Sequence, residues 1–148
     1  MTHYAENRKA RFDYEILEKY EAGVELLGVE VKSVRGGRMS LEGSFVIVRG
    51  GEAFLINTNI PPYQPKNAPK DYDALRNRKL LLTKKEITEL AGSGKNKSLT
   101  IVPISVYNKG RKIKVEIALV KGKKKYDKRE SIKKRDTDRE IRREYKAR

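Results

Sequence analysis

The chain has 148 residues, 37% hydrophobic and 37% charged, and carries a formal net charge of +15. That length suits one domain with a modest core, and the charge sets up a potential that attracts polyanions, nucleic acid first. Solubility alone needs a net charge of only about 2 to 8. No cysteine is present, which excludes disulfides, thiolate nucleophiles and Cys-type zinc sites. No apolar run approaches the roughly 18 residues of a membrane span, and no apolar signal region opens the chain; the expectation is a soluble cytoplasmic protein.

In chain order, the first segment holds the only histidine, His3, at a terminus expected to fray, so histidine acid–base work or metal ligation is not expected. Asn7, Arg8 and Lys9 follow. "DYEILEKYEAGVEL" alternates loosely and is expected to break at Glu21, Ala22 and Gly23. Its Glu15, Glu18, Glu21 and Glu25 read as exposed charge on the outer face of strands. "GVEVKSVRGG" suits a short helix ended by Gly36 and Gly37. "SFVIVRGGEAFLIN" is a hairpin turning at Arg49, Gly50 and Gly51. "NTNIPPYQPKNAPKDYDALRNR" contains four of the five prolines and reads as a long extended loop.

"TKKEITELAGSG" predicts a helix capped by Thr83, with Glu86 completing a capping box and Gly92 closing it. "GSGKNKS", which follows, lacks the spacing of a phosphate loop. "SLTIVPISVYNKGRKIKVEIALVKG" predicts a second hairpin turning at Asn108, Lys109 and Gly110, with Pro103 marking an edge or a bulge. The last stretch opens with "KGKKKYDKRESIKKRD". Residues 121–148 hold 14 Lys and Arg against 6 Asp and Glu, a net of +8, whereas residues 1–120 hold 21 against 14, a net of +7. Ile132 and Ile141 are too far apart to form an apolar stripe. Pairs such as Glu130–Lys134 support a helix by only a few tenths of a kcal/mol each, so the expectation is disorder alone and helix on binding.

These elements predict a mainly β fold: an OB-like antiparallel β-barrel over residues 1–120, with two or three flanking short helices, and a basic C-terminal tail over residues 121–148. A small sandwich is the alternative. The chain is not expected to be an enzyme, and no cofactor or metal site is expected. Lys32, Arg35 and Arg38 gather around a glycine pair, and Arg76, Arg78 and Lys79 precede Leu80, Leu81 and Leu82; both clusters look like phosphate contacts. Tyr63 and Tyr126 suit base stacking, whereas Tyr14, Tyr20 and Tyr107 suit the core or a strand face. At this level the chain is a nucleic-acid-binding barrel with a basic arm. A ribosomal protein or a general OB-type RNA binder fits as well, although the low aromatic content (7%, no Trp) disfavours a single-strand stacker.

Six stretches carry the reading further: "NRKARFDYEILEKYEAG", "GVEVKSVRGG", "GSFVIV", "RKLLL", "LTIVPISVY" and "GKKKYDKRE". In this order they resemble the tmRNA-binding protein family (small protein B, or SsrA-binding protein) of bacterial trans-translation. The resemblance implies a non-enzymatic, cytoplasmic RNA-binding adaptor that needs no cofactor. Its implied partners are the tRNA-like domain of tmRNA and the ribosome, at the 16S rRNA decoding centre and the mRNA channel. Elongation factor Tu with GTP and alanyl-tRNA synthetase are implied indirectly; no membrane and no DNA are.

By residue matching, Asn7, Glu21 and Leu81 fall on positions linked to the tRNA-like domain. Arg8, Lys32, Ser33, Arg35, Arg78 and Lys79 match neighbouring motif positions. Gly122, Lys123 and Lys124 match the hinge and first phosphate contacts of the tail. Tyr126 matches a stacking position, Asp127, Lys128 and Arg129 a decoding-centre triplet, and Ile132 an apolar anchor. The chain departs from the family pattern at Asp71–Leu75, at Thr83, where some members have Asn, and at Ser98, where Gly is common.

Overall fold

The architecture follows from strand pairing. The computed structural model describes residues 2–64, 66 and 68–122, in the order β1 (His3–Glu6), α1 (Arg8–Asp13), β2 (Tyr14–Val24), α2 (Gly28–Arg35), β3 (Phe45–Arg49), β4 (Glu52–Ile56), β5 (Arg78–Leu81), α3 (Lys84–Ser93), β6 (Leu99–Lys109) and β7 (Lys112–Gly122). All strand pairs are antiparallel, in the order β1-β6-β3-β4-β5-β2-β7, and a further β6–β7 pairing closes six of the strands into a barrel. β6 shares one edge between β3, at Ile101, and β1, at residues 105–107. The fold is therefore the expected mainly β, OB-like barrel with three short helices.

Local chemistry explains most of the elements. Gly50 and Gly51 take positive φ (61° and 76°), the two-residue hairpin turn that matches strand twist. Thr83 accepts from the Glu86 N–H, and the Glu86 carboxylate accepts from the Thr83 N–H, so the capping box forms as expected. The helix, however, runs through Gly92 and ends at Gly94. At the end of α2, Gly37 at φ 75° lets the Arg38 N–H reach the Ser33 carbonyl (2.8 Å) and the Gly37 N–H the Val34 carbonyl (2.9 Å), a Schellman closure.

Three expectations need correction. The N-terminus pairs with β6 as β1 rather than fraying. β2 does not break at Gly23 but continues to Val24, with a register shift between Ile16 and Glu18 instead. The second hairpin turns one residue later than expected, at Gly110 and Arg111, because Gly110 is the residue with positive φ (64°). Pro103 does sit at a bulge.

Inward residues of every strand fill the barrel, among them Ala22, Val46, Leu55, Leu80, Val106 and Ile117. β6 and β7 are apolar on their outer face too. There Val102, Ile104, Ala118 and Val120 pack with Ala10 of α1, which is why "IVPISVY" lacks polar alternation.

β5 places Arg78 on the inward side, in step with Leu80, and both are buried. Its partner Glu30 comes from α2 and is fully buried as well. Glu30 Oε2 accepts from Arg78 Nε (3.0 Å), Arg78 Nη2 (2.7 Å) and Arg76 Nε (2.8 Å). Oε1 accepts from Arg76 Nη2 (2.6 Å) and the Leu27 N–H (2.7 Å). Arg78 also donates to the carbonyls of Thr58 (2.6 Å) and Ala74 (3.0 Å), while the Tyr72 hydroxyl donates to the Ile60 carbonyl (2.6 Å). The proline-rich loop is thereby tied to α2 and β5.

Burial raises the Glu30 carboxyl, but donation from Arg76, Leu27 and Arg78 outweighs it and holds the group below the usual carboxylate range. Breaking a buried pair by removing one partner leaves uncompensated charge. Glu30→Gln is expected to lower stability at pH 7 by roughly 3–5 kcal/mol, read from urea midpoints. A depressed carboxyl stabilises fully above the unfolded value of about 4.3, and this stabilisation is lost as pH falls through the folded value. The difference between wild type and variant should therefore narrow below about pH 4.

Candidate nucleic-acid interface

Across the outer wall of the barrel, strand register aligns one row of residues: His3 against Tyr107, Tyr107 against Lys114, Lys114 against Gly23, and Gly23 against Leu81. Glu21 lies one outward position before Gly23 on β2 and belongs to the same face. Leu81 is 49% exposed, a large apolar side chain left in solvent. A Cβ at Gly23 would meet Leu81 Cβ at 3.3 Å and Cδ1 at 3.4 Å. The missing side chain is thus what lets Leu81 lie against the β2 backbone at Gly23.

Both Glu21 oxygens have partners. Oε2 accepts from the Tyr107 hydroxyl and Oε1 from Lys109 Nζ at 3.0 Å. These two donors, Tyr107 first, lower the Glu21 carboxyl below its ordinary range. Burial, reinforced by its bond to Glu21, raises the Tyr107 hydroxyl, so Tyr107 stays protonated and donates. The ring of His3 packs against Tyr107 with centroids 5.6 Å apart.

The other expected residues fall into two groups. Arg8, Lys32 and Arg35 are exposed, and Lys79 is half-buried beside Glu52 at 2.6 Å. Asn7, Ser33 and Arg78 are buried. Asn7 caps α1: its Oδ1 accepts from the Ala10 N–H (3.1 Å), and its Nδ2 donates to the carbonyls of Pro103 (3.0 Å) and Leu41 (3.4 Å). Ser33 donates to the Pro61 carbonyl, and Arg78 belongs to the Glu30 network. All three side chains are buried and bonded within the fold, and only Arg78 lies on a strand of the wall, β5. Gly122 lies within β7, opposite Tyr14. Lys123, Lys124, Tyr126, Asp127, Lys128, Arg129 and Ile132 lie outside the described residues.

Sequence reasoning missed Tyr107, Lys109 and Lys114 as neighbours of Glu21. Period-two alternation on β7 gave a signal for Lys114, but the contact of Glu21 with the far hairpin depends on barrel closure. Among the described residues there is no group of three or more His, Asp or Glu able to hold a metal, and no helix is long and apolar enough to cross a membrane.

The burial difference yields a paired expectation. Asn7→Ala removes a cap worth roughly 0.5–2 kcal/mol and should lower the urea midpoint. Glu21→Ala should leave both the midpoint and the circular-dichroism spectrum near wild type, since Glu21 is exposed. A collapsed spectrum for Glu21→Ala would contradict this placement.

Comparisons with known proteins agree with the geometry. The sequence model of the SmpB protein family matches residues 4–147. An SsrA-binding protein of Sulfurihydrogenibium sp. (strain YO3AOP1) is 56% identical over 143 residues, covering 97% of this chain and 93% of that protein. One from Enterococcus faecalis is 51% identical over 142 residues, covering 96% and 92%. A solved structure described as "tmRNA-SmpB: a journey to the center of the bacterial ribosome" superposes with a TM-score of 0.68 at 46% identity, covering 93% of this chain and 94% of that one. The chain belongs to the SmpB protein family.

Proposed function

We propose that the chain binds the tRNA-like domain of tmRNA and brings it to stalled ribosomes for rescue by trans-translation. The observation that carries this reading is the outer wall on which Leu81 lies against Gly23 and Glu21 sits one outward position away on β2, flanked by Lys109 and Lys114. An exposed leucine among cations offers an apolar platform for a base or ribose, with phosphate partners around it. This combination suits structured RNA, which is read through shape, phosphates, 2′-hydroxyls and unpaired bases. The named relatives are SsrA-binding proteins, and the superposing structure joins SmpB, tmRNA and the ribosome.

Within this reading Arg8, Lys32, Arg35 and Lys79 supply cations at the rim. Asn7, Ser33 and Arg78 hold the backbone that presents them. The tail probes the decoding centre and the empty message channel: Lys123 and Lys124 take phosphates, Tyr126 stacks, and Asp127, Lys128, Arg129 and Ile132 follow as the segment orders. Ordering costs about 1–2 kcal/mol per residue, so it proceeds only where ribosomal phosphate lines an unoccupied channel. Gly122 marks the exit from β7. Elongation factor Tu with GTP and alanyl-tRNA synthetase act on the same RNA and meet this chain indirectly. The role is one of binding and positioning, with no catalytic step.

The test is a competition titration of the full chain at fixed salt with the isolated tRNA-like domain, an ordinary tRNA and single-stranded RNA of equal length. The tRNA-like domain should win at least tenfold, about 1.4 kcal/mol, and keep its lead as salt rises. Equal binding that weakens in parallel with salt would reduce the protein to a general polyanion binder. Removing residues 123–148 should leave this affinity largely intact and abolish tagging of stalled products. Loss of both together would refute the division between barrel and tail.

A further inference from the structure

The β6–β7 turn, Lys109–Lys112, is exposed and positively charged, and it is braced from two sides. On one side Lys109 Nζ meets Glu21 at 3.0 Å. On the other, Arg35 Nη2 at the end of α2 donates to the Arg111 backbone carbonyl at 3.1 Å, so the end of α2 is pinned to the turn. Lys32 and Arg35 both sit in the last turn of α2. Next along the surface, the Arg38 guanidinium lies 5.5 Å from the centroid of Tyr63 and donates to the Tyr63 carbonyl at 3.2 Å. Tyr63 is 39% exposed and runs beside Gly36.

Among the described residues the ion pairs are Arg76–Glu30, Arg78–Glu30, Lys79–Glu52 and Lys109–Glu21. Among the described residues no carboxylate lies within ion-pair distance of Lys32, Arg35, Arg38, Arg111 or Lys112. Cations gathered at one edge repel one another, and with no described carboxylate paired to them the cluster favours a bound anion. An exposed tyrosine stacked with an arginine adds a planar platform for an unpaired base.

We infer that the β6–β7 turn and the C-terminal end of α2 form one ridge that grips the phosphodiester backbone of the bound RNA, through Arg35, Arg111 and Lys112, with Arg38 and Tyr63 taking an unpaired base beside it. Glu21 is a positioning residue in this arrangement. Both of its oxygens are occupied, and its part is to aim Lys109 and Tyr107 rather than to touch RNA. The inference rests on the RNA-binding reading above and adds to it a second stretch of contact and an indirect role for the carboxylate.

The experiment uses the full chain and the isolated tRNA-like domain of tmRNA, titrated over a range of salt. Arg111→Ala with Lys112→Ala should weaken binding and flatten the plot of log K against log salt by about 2, one unit for each lost phosphate contact. The charge-matched control, Lys95→Ala with Lys97→Ala, alters exposed lysines at the opposite end of the β6–β7 hairpin and should change the slope much less. Equal effects of the two pairs would mean that only overall charge matters, overturning the ridge.

A double-mutant cycle between Glu21→Gln and Lys109→Ala tests the positioning role. Glu21→Gln should weaken binding in the wild-type background and add little once Lys109 is gone. Additive losses would show Glu21 contacting RNA itself. If the wild-type chain does not prefer the tRNA-like domain over single-stranded RNA, the binding reading fails. If it does, and the Arg111 and Lys112 variant keeps the wild-type slope, only the ridge fails.

Discussion

One buried carboxylate organises the half of the molecule that meets RNA in this account. Glu30 accepts hydrogen bonds from two arginines, a backbone N–H and the Tyr72 hydroxyl, and so ties α2, the proline-rich loop and β5 to one point. In a chain of +15 this is an expensive arrangement, since burying charge is offset only by near-complete pairing. The pairing is near-complete here, and among the described residues no buried side-chain nitrogen or oxygen lacks a partner. Together with Val34, buried in the barrel core, and Ser33, bonded to Pro61, it seats α2 so that Arg35 reaches the β6–β7 turn.

Glu21 repeats the device at the surface. Glu30 neutralises two cations inside the fold, whereas Glu21 fixes one cation, Lys109, outside it. Between them these two carboxylates take part in three of the four ion pairs among the described residues. The remaining exposed cations around α2 and the turn are left available to phosphate. Leu81 supplies the apolar complement, and its exposure depends on a glycine opposite it rather than on any partner.

What could be read from the sequence was what local chemistry decides. Gly50 and Gly51 announce a hairpin, Thr83 and Glu86 a helix start, and Gly36 and Gly37 a helix end; all three form. What could not be read was decided by distant pairing. β1 is a strand only because the edge of β6 is open beside it, and β2 passes Gly23 because β5 and β7 hold it on both sides. Arg78 looked like a phosphate contact from its basic neighbours. Alternation with Leu80 already implied that it points inward, but its partner Glu30 lies far back in the chain, in a separate helix. The six motifs identified the family from order and spacing, and the geometry adds which of their residues frame the wall and which stand on it.

The most direct measurement is hydrogen exchange of the full chain with and without the tRNA-like domain of tmRNA. The account predicts new protection in β2 around Glu21, in β5 around Leu81 and across the β6–β7 turn, with α3 and the start of β6 unchanged. Protection centred instead on α3 and the start of β6 would mean that RNA meets a different face of the barrel, and the wall described here would not be the binding face.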